Sequence, residues 1–184
     1  MKIVIIYHSG YGHTKIVAEH IRKGATEILS DVHLLSTIEA QDNFELLHSA
    51  DTLVFGSPTY MGTISAAFKT FMEATGKFWY AQKWKDKLAA GFTNSSTLSG
   101  DKLNTLQQLS LFAAQHGMLW ISTGILPQFE NDRQLAEPNG LGSYLGLMTV
   151  SDNSTTALNL PSGLETATLF GKRIALITKI NTNN

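Results

Sequence analysis

Residues 2–15 run Lys2-Ile3-Val4-Ile5-Ile6-Tyr7-His8-Ser9-Gly10-Tyr11-Gly12-His13-Thr14-Lys15. A β-branched apolar run breaks into a turn rich in glycine and hydroxyls, and helical spacing begins at once with Val17, Ala18, Ile21 and Ala25 on one face. The pattern is a buried strand, a tight loop and a helix start. The first N–H groups of a helix have no acceptor within it, and its dipole is positive at that end, so this loop suits an anion such as phosphate. Ser9 and Thr14 add hydroxyl donors, and Gly10 and Gly12 permit positive φ and close approach of a ligand to the main chain. The dinucleotide spacing of three glycines is missing and no Gly-Lys-Ser/Thr follows, so the expected phosphate is not that of ATP.

Working outward, the first helix is expected to end near Ser30. Val32–Leu35 reads as a second strand, and Phe44, Leu46 and Leu47 as a short helix. Asp51–Pro58 reads as a third buried strand, stopped by the proline because it has no N–H to donate. Helices are expected over Ser65–Thr75 and through Leu103, Leu106, Leu109, Phe112 and Ala113. Leu88–Thr93 and Met118–Ile121 supply a fourth and a fifth strand, and a last helix covers Gly163–Ile180. Buried strands alternating with helices imply a doubly wound α/β fold with a five-stranded parallel sheet, for which the strand order 2-1-3-4-5 suits a phosphate loop after strand 1. Residues 1–184 are expected to form one domain. In it, 123–162 is a long insertion without regular elements near the site, its Gly140, Gly142, Tyr144 and Gly146 suggesting a cover, and 181–184 is a disordered tail.

Composition narrows the function classes. A net charge of −1, without a cluster of lysine or arginine, offers no field for nucleic acid. With no cysteine there is no disulfide framework, thiolate metal site or cysteine nucleophile. The histidines other than His13 and His116 show no i, i+4 ligand pairing, so no metal site is expected, and no Ser/His/acid set points to hydrolysis. No apolar run is long enough for a membrane span or a signal segment, and the expected location is the cytoplasm.

Three loops should share one edge of the sheet, where ligands of such folds bind. They are Ser9–Thr14, Ser57–Gly62 and Thr93–Gly100. The first offers donors for phosphate; the other two offer backbone groups, hydroxyls and a ring for a flat heterocycle. A phosphorylated planar cofactor is the economical inference.

Tyr7–Thr14, Phe55–Gly62, Thr75-Gly76-Lys77-Phe78-Trp79 and His116-Gly117-Met118, in this order and covering almost the whole chain, resemble the flavodoxin-like flavoproteins and, within them, the WrbA-type NAD(P)H:quinone oxidoreductases. The resemblance implies a flavodoxin-like fold. It places the FMN phosphate at Ser9, Tyr11, Gly12, His13 and Thr14. The flavin ring would rest on Pro58, Thr59, Tyr60, Met61 and Gly62, with Asn94, Ser95, Ser96 and Thr97 on its other side. His116 matches a histidine facing the pyrimidine end of the flavin, where it would stabilise negative charge arising on the reduced ring, although it also closes a helix, where a cation complements the dipole as a cap. Trp79 matches a tryptophan that roofs the site of a neighbouring subunit, so a homo-oligomer, dimer or tetramer, is expected. His116 and Trp79 are the catalytic candidates.

Two features depart from that family: the segment Leu35–Phe44 is brief, and Ser96, Leu98 and Ser99 stand where its third loop carries glycines. The activity implied is two-electron (hydride) transfer from NAD(P)H, through FMN, to a quinone-like acceptor. A flavodoxin-type one-electron carrier and a non-enzymatic flavodoxin-like module remain as alternatives. Carriers of the first kind are usually strongly acidic, unlike this chain.

Overall fold

The computed structural model describes residues 1–129, 135–154 and 161–182. The chain opens with β1 (Lys2–Tyr7), α1 (His13–Thr26) and β2 (Asp31–Ser36), followed by α2 (Thr37–Asp42) and α3 (Phe44–Ser49). The middle of the chain holds β3 (Thr52–Tyr60), β4 (Thr63–Ile64), α4 (Ala66–Ala74), α5 (Gly76–Tyr80), β5 (Leu88–Ser95) and α6 (Lys102–Gln115). It closes with β6 (Leu119–Trp120), β7 (Gln128–Phe129), β8 (Leu135–Ala136), β9 (Leu147–Val150) and α7 (Leu164–Thr182).

The sheet runs β2-β1-β3-β5-β6 with parallel pairing along this path, which is the expected order 2-1-3-4-5. Successive side chains of a strand point to opposite faces. Ile3 and Ile5 of β1, with Val54 and Phe92, therefore pack against Val17, Ile21, Phe170 and Ile174 of α1 and α7. Val4 and Ile6, with Leu53 and Phe55, pack on the other face against Phe68, Phe71, Trp84 and Phe112. Both faces are covered, which is why the strands read as unbroken apolar runs rather than alternating ones.

Several expectations change. Pro58 does not stop its strand. The Gly56 carbonyl accepts from His8 N–H, so Gly56 points towards β1, and Pro58, two residues on, points to the same side, beyond the end of β1. No ladder donor is needed there, and the other edge stays paired with Asn94 of β5. The first helix ends at Thr26 rather than near Ser30, because the N–H groups of Ile28 and Leu29 both turn back to the Ala25 carbonyl and wind the helix down. The brief segment after β2 is helical: Ser36 Oγ accepts from Glu39 N–H at 3.2 Å, and a Glu39 carboxylate oxygen accepts from Ser36 N–H at 2.7 Å, a reciprocal cap that starts α2.

The fifth sheet position is shared. β6 pairs with Leu88 and Ala89, while β9, which starts 28 residues after β6 starts, pairs with Phe92–Ser95. The 123–162 segment is thus not without regular elements: it contains β7 and β8, which pair antiparallel, and the strand β9 that completes the sheet. Among the described residues, part of its middle is tied to α7. The Glu137 carboxylate accepts from Thr166 N–H at 3.0 Å and Asn139 N–H donates to Thr166 Oγ1 at 2.7 Å, so this part seals the start of α7. α7 carries on through Asn181 and Thr182, and 183–184 lie outside the described residues.

Candidate functional site

At the carboxyl edge of the sheet, Ser9, Tyr11, His13, Thr14, Pro58, Thr59, Tyr60, Asn94, Ser95 and Ser96 line one cleft of about 240 Å³. Three loops that are remote in sequence meet there because β1, β3 and β5 are adjacent and parallel. Gly12 is the N-cap of α1; its φ of 95° turns the chain into the helix, and it has no side chain of its own to cap the first turn. The His13 and Thr14 N–H groups therefore have no intrahelical acceptor. Ser9 Oγ accepts from Lys15 N–H at 3.2 Å, which folds the loop back over its own helix.

Gly10 is required by contact rather than by φ: a Cβ there would lie 2.5 Å from the Tyr60 hydroxyl. Gly10 N–H donates to that hydroxyl, joining the first loop to the second. Burial raises the Tyr60 phenol pKa, with Tyr11 adding to the rise and the Gly10 bond opposing it. Beneath the second loop, Thr59 Oγ1 lies 2.8 Å from both Thr93 Oγ1 and Thr105 Oγ1, a buried hydroxyl chain that ties β3, β5 and α6 together. Asn94 is fixed by Thr149 Oγ1, which donates to its Oδ1 at 2.8 Å, and by its own Nδ2, which donates to Ser151 Oγ at 2.8 Å.

Other expected residues lie elsewhere. Met61 and Gly62 have φ of 49° and 79° and form the two-residue turn between β3 and β4, with positive φ at both positions as a type I′ turn requires. Met61 is fully exposed at the tip of this hairpin and the Gly62 carbonyl accepts from Asn104 Nδ2 at 2.8 Å, so neither lines the cleft. Thr97 is exposed, and its carbonyl accepts from Lys102. Gly12 acts through its backbone as the first residue of the helix cap.

His116 and Trp79 are separated from the cleft. Both line a second, more apolar hollow of about 480 Å³ formed by α4, α5 and α6 with Ile64, Met72 and Phe112. His116 is 1% exposed and its ring lies 4.5 Å from that of Trp84. The Thr75 hydroxyl donates to the Met72 carbonyl at 2.6 Å, so at 3.0 Å from Thr75 Oγ1 it is His116 Nε2 that donates, and Nδ1 is a buried acceptor without a partner. Burial pushes the His116 pKa down to about 4, and the imidazole is neutral at pH 7. Within its own chain this histidine lines the hollow rather than the cleft, and it carries no charge at pH 7. Of the aromatic group near it, Trp84 is fully buried in the core, whereas Trp79 and Tyr80 are exposed.

A fourth wall was not anticipated. Ser151, Asp152, Asn153 and Ser154, directly after β9, also line the cleft. His13 Nε2 lies 3.4 Å from both Asp152 Oδ1 and Ser154 Oγ. The signal was present in the letters, since a polar run follows the apolar Leu147–Val150 just as loops follow the other strands. Among the described residues no cluster of histidine, aspartate and glutamate could hold a metal ion, and no helix is long and apolar enough to cross a membrane.

A cleft with a helix start at one end and two parallel loop walls at the other fits a ligand that is anionic at one end and flat at the other. Residues 1–129 match the family described as NADPH-dependent FMN reductase. The chain is 40% identical over 177 residues to Flavodoxin FldP of Pseudomonas aeruginosa, with 96% of each covered. It is 26% identical over 201 residues to an NAD(P)H dehydrogenase (quinone) of Syntrophus aciditrophicus, with 96% of this chain and 97% of the relative covered. Among solved structures, a flavodoxin, WrbA-like protein from Agrobacterium tumefaciens superposes with a TM-score of 0.76 at 38% identity, over 98% of both chains.

Proposed function

The chain belongs to the NADPH-dependent FMN reductase family as a WrbA-type, flavodoxin-like flavoprotein, and from that membership we propose that it is an FMN-dependent oxidoreductase passing two electrons from NAD(P)H to a quinone-like acceptor in the cytoplasm. The observation that carries this reading is the convergence of the three loops on one cleft, with the start of α1, whose N-cap is a glycine, among its walls. When bound there, FMN supplies the acceptance and release of hydride.

The protein's part is binding and orientation. Ser9, Thr14 and the first-turn N–H groups of α1, with Tyr11, Gly12 and His13 beside them, are assigned to the phosphate. Pro58, Thr59 and Tyr60 form one wall for the ring and Asn94, Ser95 and Ser96 the other, while the Thr59–Thr93–Thr105 hydroxyl chain keeps the walls at a fixed spacing. Met61 and Gly62 contribute through the turn that aims Tyr60, and Thr97 through its carbonyl. No proton donor on this chain is assigned to the reaction. Trp79, together with Tyr80, is assigned to a second copy in a homo-oligomer, where its ring could reach a neighbouring cleft that it does not reach within its own chain.

The similarity to a protein named flavodoxin favours one-electron carriage as the second reading. Purified protein saturated with FMN and mixed with NADPH separates the two. An oxidoreductase bleaches the flavin absorbance within one turnover and then consumes NADPH continuously when a soluble benzoquinone is added. A carrier shows neither, and protein that binds no FMN at all supports the non-enzymatic module.

A further inference from the structure

The third loop is held by a side chain that never touches the cleft. Lys102 opens α6 and is fully buried. Gly100 and Asp101, with φ of 52° and 56°, reverse the chain so that the lysine folds back beneath the loop it has just left. Its Nζ donates to the Thr97 carbonyl and, at 3.2 Å, to the Leu98 carbonyl. Among the described residues no carboxylate pairs with it, and burial pushes its pKa down to about 8. An ammonium removed from water without a counter-charge is costly, and it is tolerated here because it satisfies carbonyls that the loop cannot pair with its own backbone.

We propose that Lys102 is a positioning residue for the ring end of the cleft, fixing through the Thr97 and Leu98 carbonyls the wall that Ser95 and Ser96 present. This rests on the assignment of the cleft to FMN made above. Ser96, Thr97, Leu98 and Ser99 are all exposed, and the loop is anchored to the body at its far end by Lys102. The same helix also holds the opposite wall. Asn104 Nδ2 donates to the Gly62 carbonyl at 2.8 Å, Thr105 Oγ1 lies 2.8 Å from Thr59 Oγ1, and Thr63 Oγ1 donates to Gln108 Oε1 at 2.7 Å. α6 is therefore a single template against which both ring walls are set, and Lys102 is its hold on the wall that lacks glycines. Among the described residues no hydrogen bond links the phosphate loop Ser9–Thr14 to Lys102, so its effect is expected at the ring.

The test compares FMN with riboflavin, which lacks the phosphate, binding to the full chain by quenching of flavin fluorescence. Lys102→Met is expected to weaken both ligands by the same factor, about tenfold, and Lys102→Arg to recover most of the loss. Lys87→Met is the control. That lysine also donates to backbone carbonyls, of His48 and Ala50, but at the opposite edge of the sheet, and its loss should lower thermal stability while changing neither affinity by more than about twofold. Unchanged binding in Lys102→Met, or equal weakening in Lys87→Met, overturns the proposal and leaves the cofactor assignment standing. Wild-type protein that binds neither flavin removes the assignment, and the proposal with it. Should Lys102→Met not fold, Lys102→Gln, which keeps a donor without the charge, carries the same comparison.

Discussion

The polar cleft and the apolar hollow are both concave, yet they are closed by opposite means. The cleft is walled by hydroxyls and backbone, and it includes the start of a helix whose N-cap, Gly12, has no side chain. The hollow is walled by Trp79, Met72, Leu111 and Phe112, and its one titratable ring, His116, has been drawn inside and neutralised. A surface of the first kind holds donors ready for a ligand. A surface of the second kind has spent its polar atoms on the fold and leaves apolar area for another surface. Changes in the cleft should therefore appear in ligand affinity, and changes in the hollow in stability or assembly.

The largest effect expected from this contrast is the pH dependence of stability carried by His116. Its folded pKa, about 4, lies below the ordinary 6.5. Above pH 6.5 both states are neutral and it contributes no slope. Between 6.5 and 4 the unfolded chain binds a proton that the folded chain refuses, so stability falls as the pH drops through this window and levels off below it. The full fall is roughly 3 kcal/mol. Urea unfolding of wild type and His116→Phe at pH 7, 5.5 and 4.5 measures it as the difference between the two proteins, which should widen against the wild type on acidification. FMN affinity at pH 7 should be the same in both within about twofold; a larger loss would join the two hollows into one site.

Much of this was legible in the chain, for identifiable reasons. β1, β3 and β5 are buried on both faces, so their letters are continuous apolar runs, and the loops that follow them are found by where the runs end. Pro58 misled because its letter forbids a ladder donor, whereas the geometry places it where β1 has already ended. The fifth strand could be read only in part: Met118–Ile121 marks β6, whereas β9 joins β5 by a pairing remote in sequence. Lys102 reads as an ordinary solvated lysine at a helix start, since lysine is seldom fully buried. His116 was placed by its sequence neighbours, but what decides its chemistry is Trp84 and Thr75, which local spacing does not reveal. Ser36 and Glu39, by contrast, spell a reciprocal cap openly, and α2 was there to be found.

A smaller effect sharpens the cleft side of the contrast. Ser9 Oγ is half-buried at the mouth of the first loop and is assigned to phosphate. Ser9→Ala removes one hydrogen bond to a charged group and should weaken FMN about tenfold, while riboflavin, without the phosphate, binds as before. The hydroxyl also accepts from Lys15 N–H at the exposed start of α1, a bond that water can replace, so the unfolding free energy should change by less than about 1 kcal/mol. Equal weakening of both flavins would show that the loop had moved as a whole, and the phosphate assignment would lose its support.

The smallest effect on the isolated chain is expected at Trp79, and it bears hardest on what the hollow is for. The residue is 44% exposed, so truncation forfeits little burial within the chain, and Trp79→Ala should change the unfolding free energy of the monomer by less than about 1 kcal/mol. FMN affinity should not change, because the ring does not line its own cleft. If a second copy covers the hollow, the same truncation removes a large aromatic from the contact, and such residues carry a disproportionate share of interface energy. Sedimentation velocity across a concentration series should then show association in the wild type and its weakening in Trp79→Ala, with turnover of NADPH and quinone falling in step at low protein concentration. Identical sedimentation with reduced FMN affinity would mean that Trp79 serves the cleft of its own chain, and the division between a ligand surface and an assembly surface would have to be redrawn.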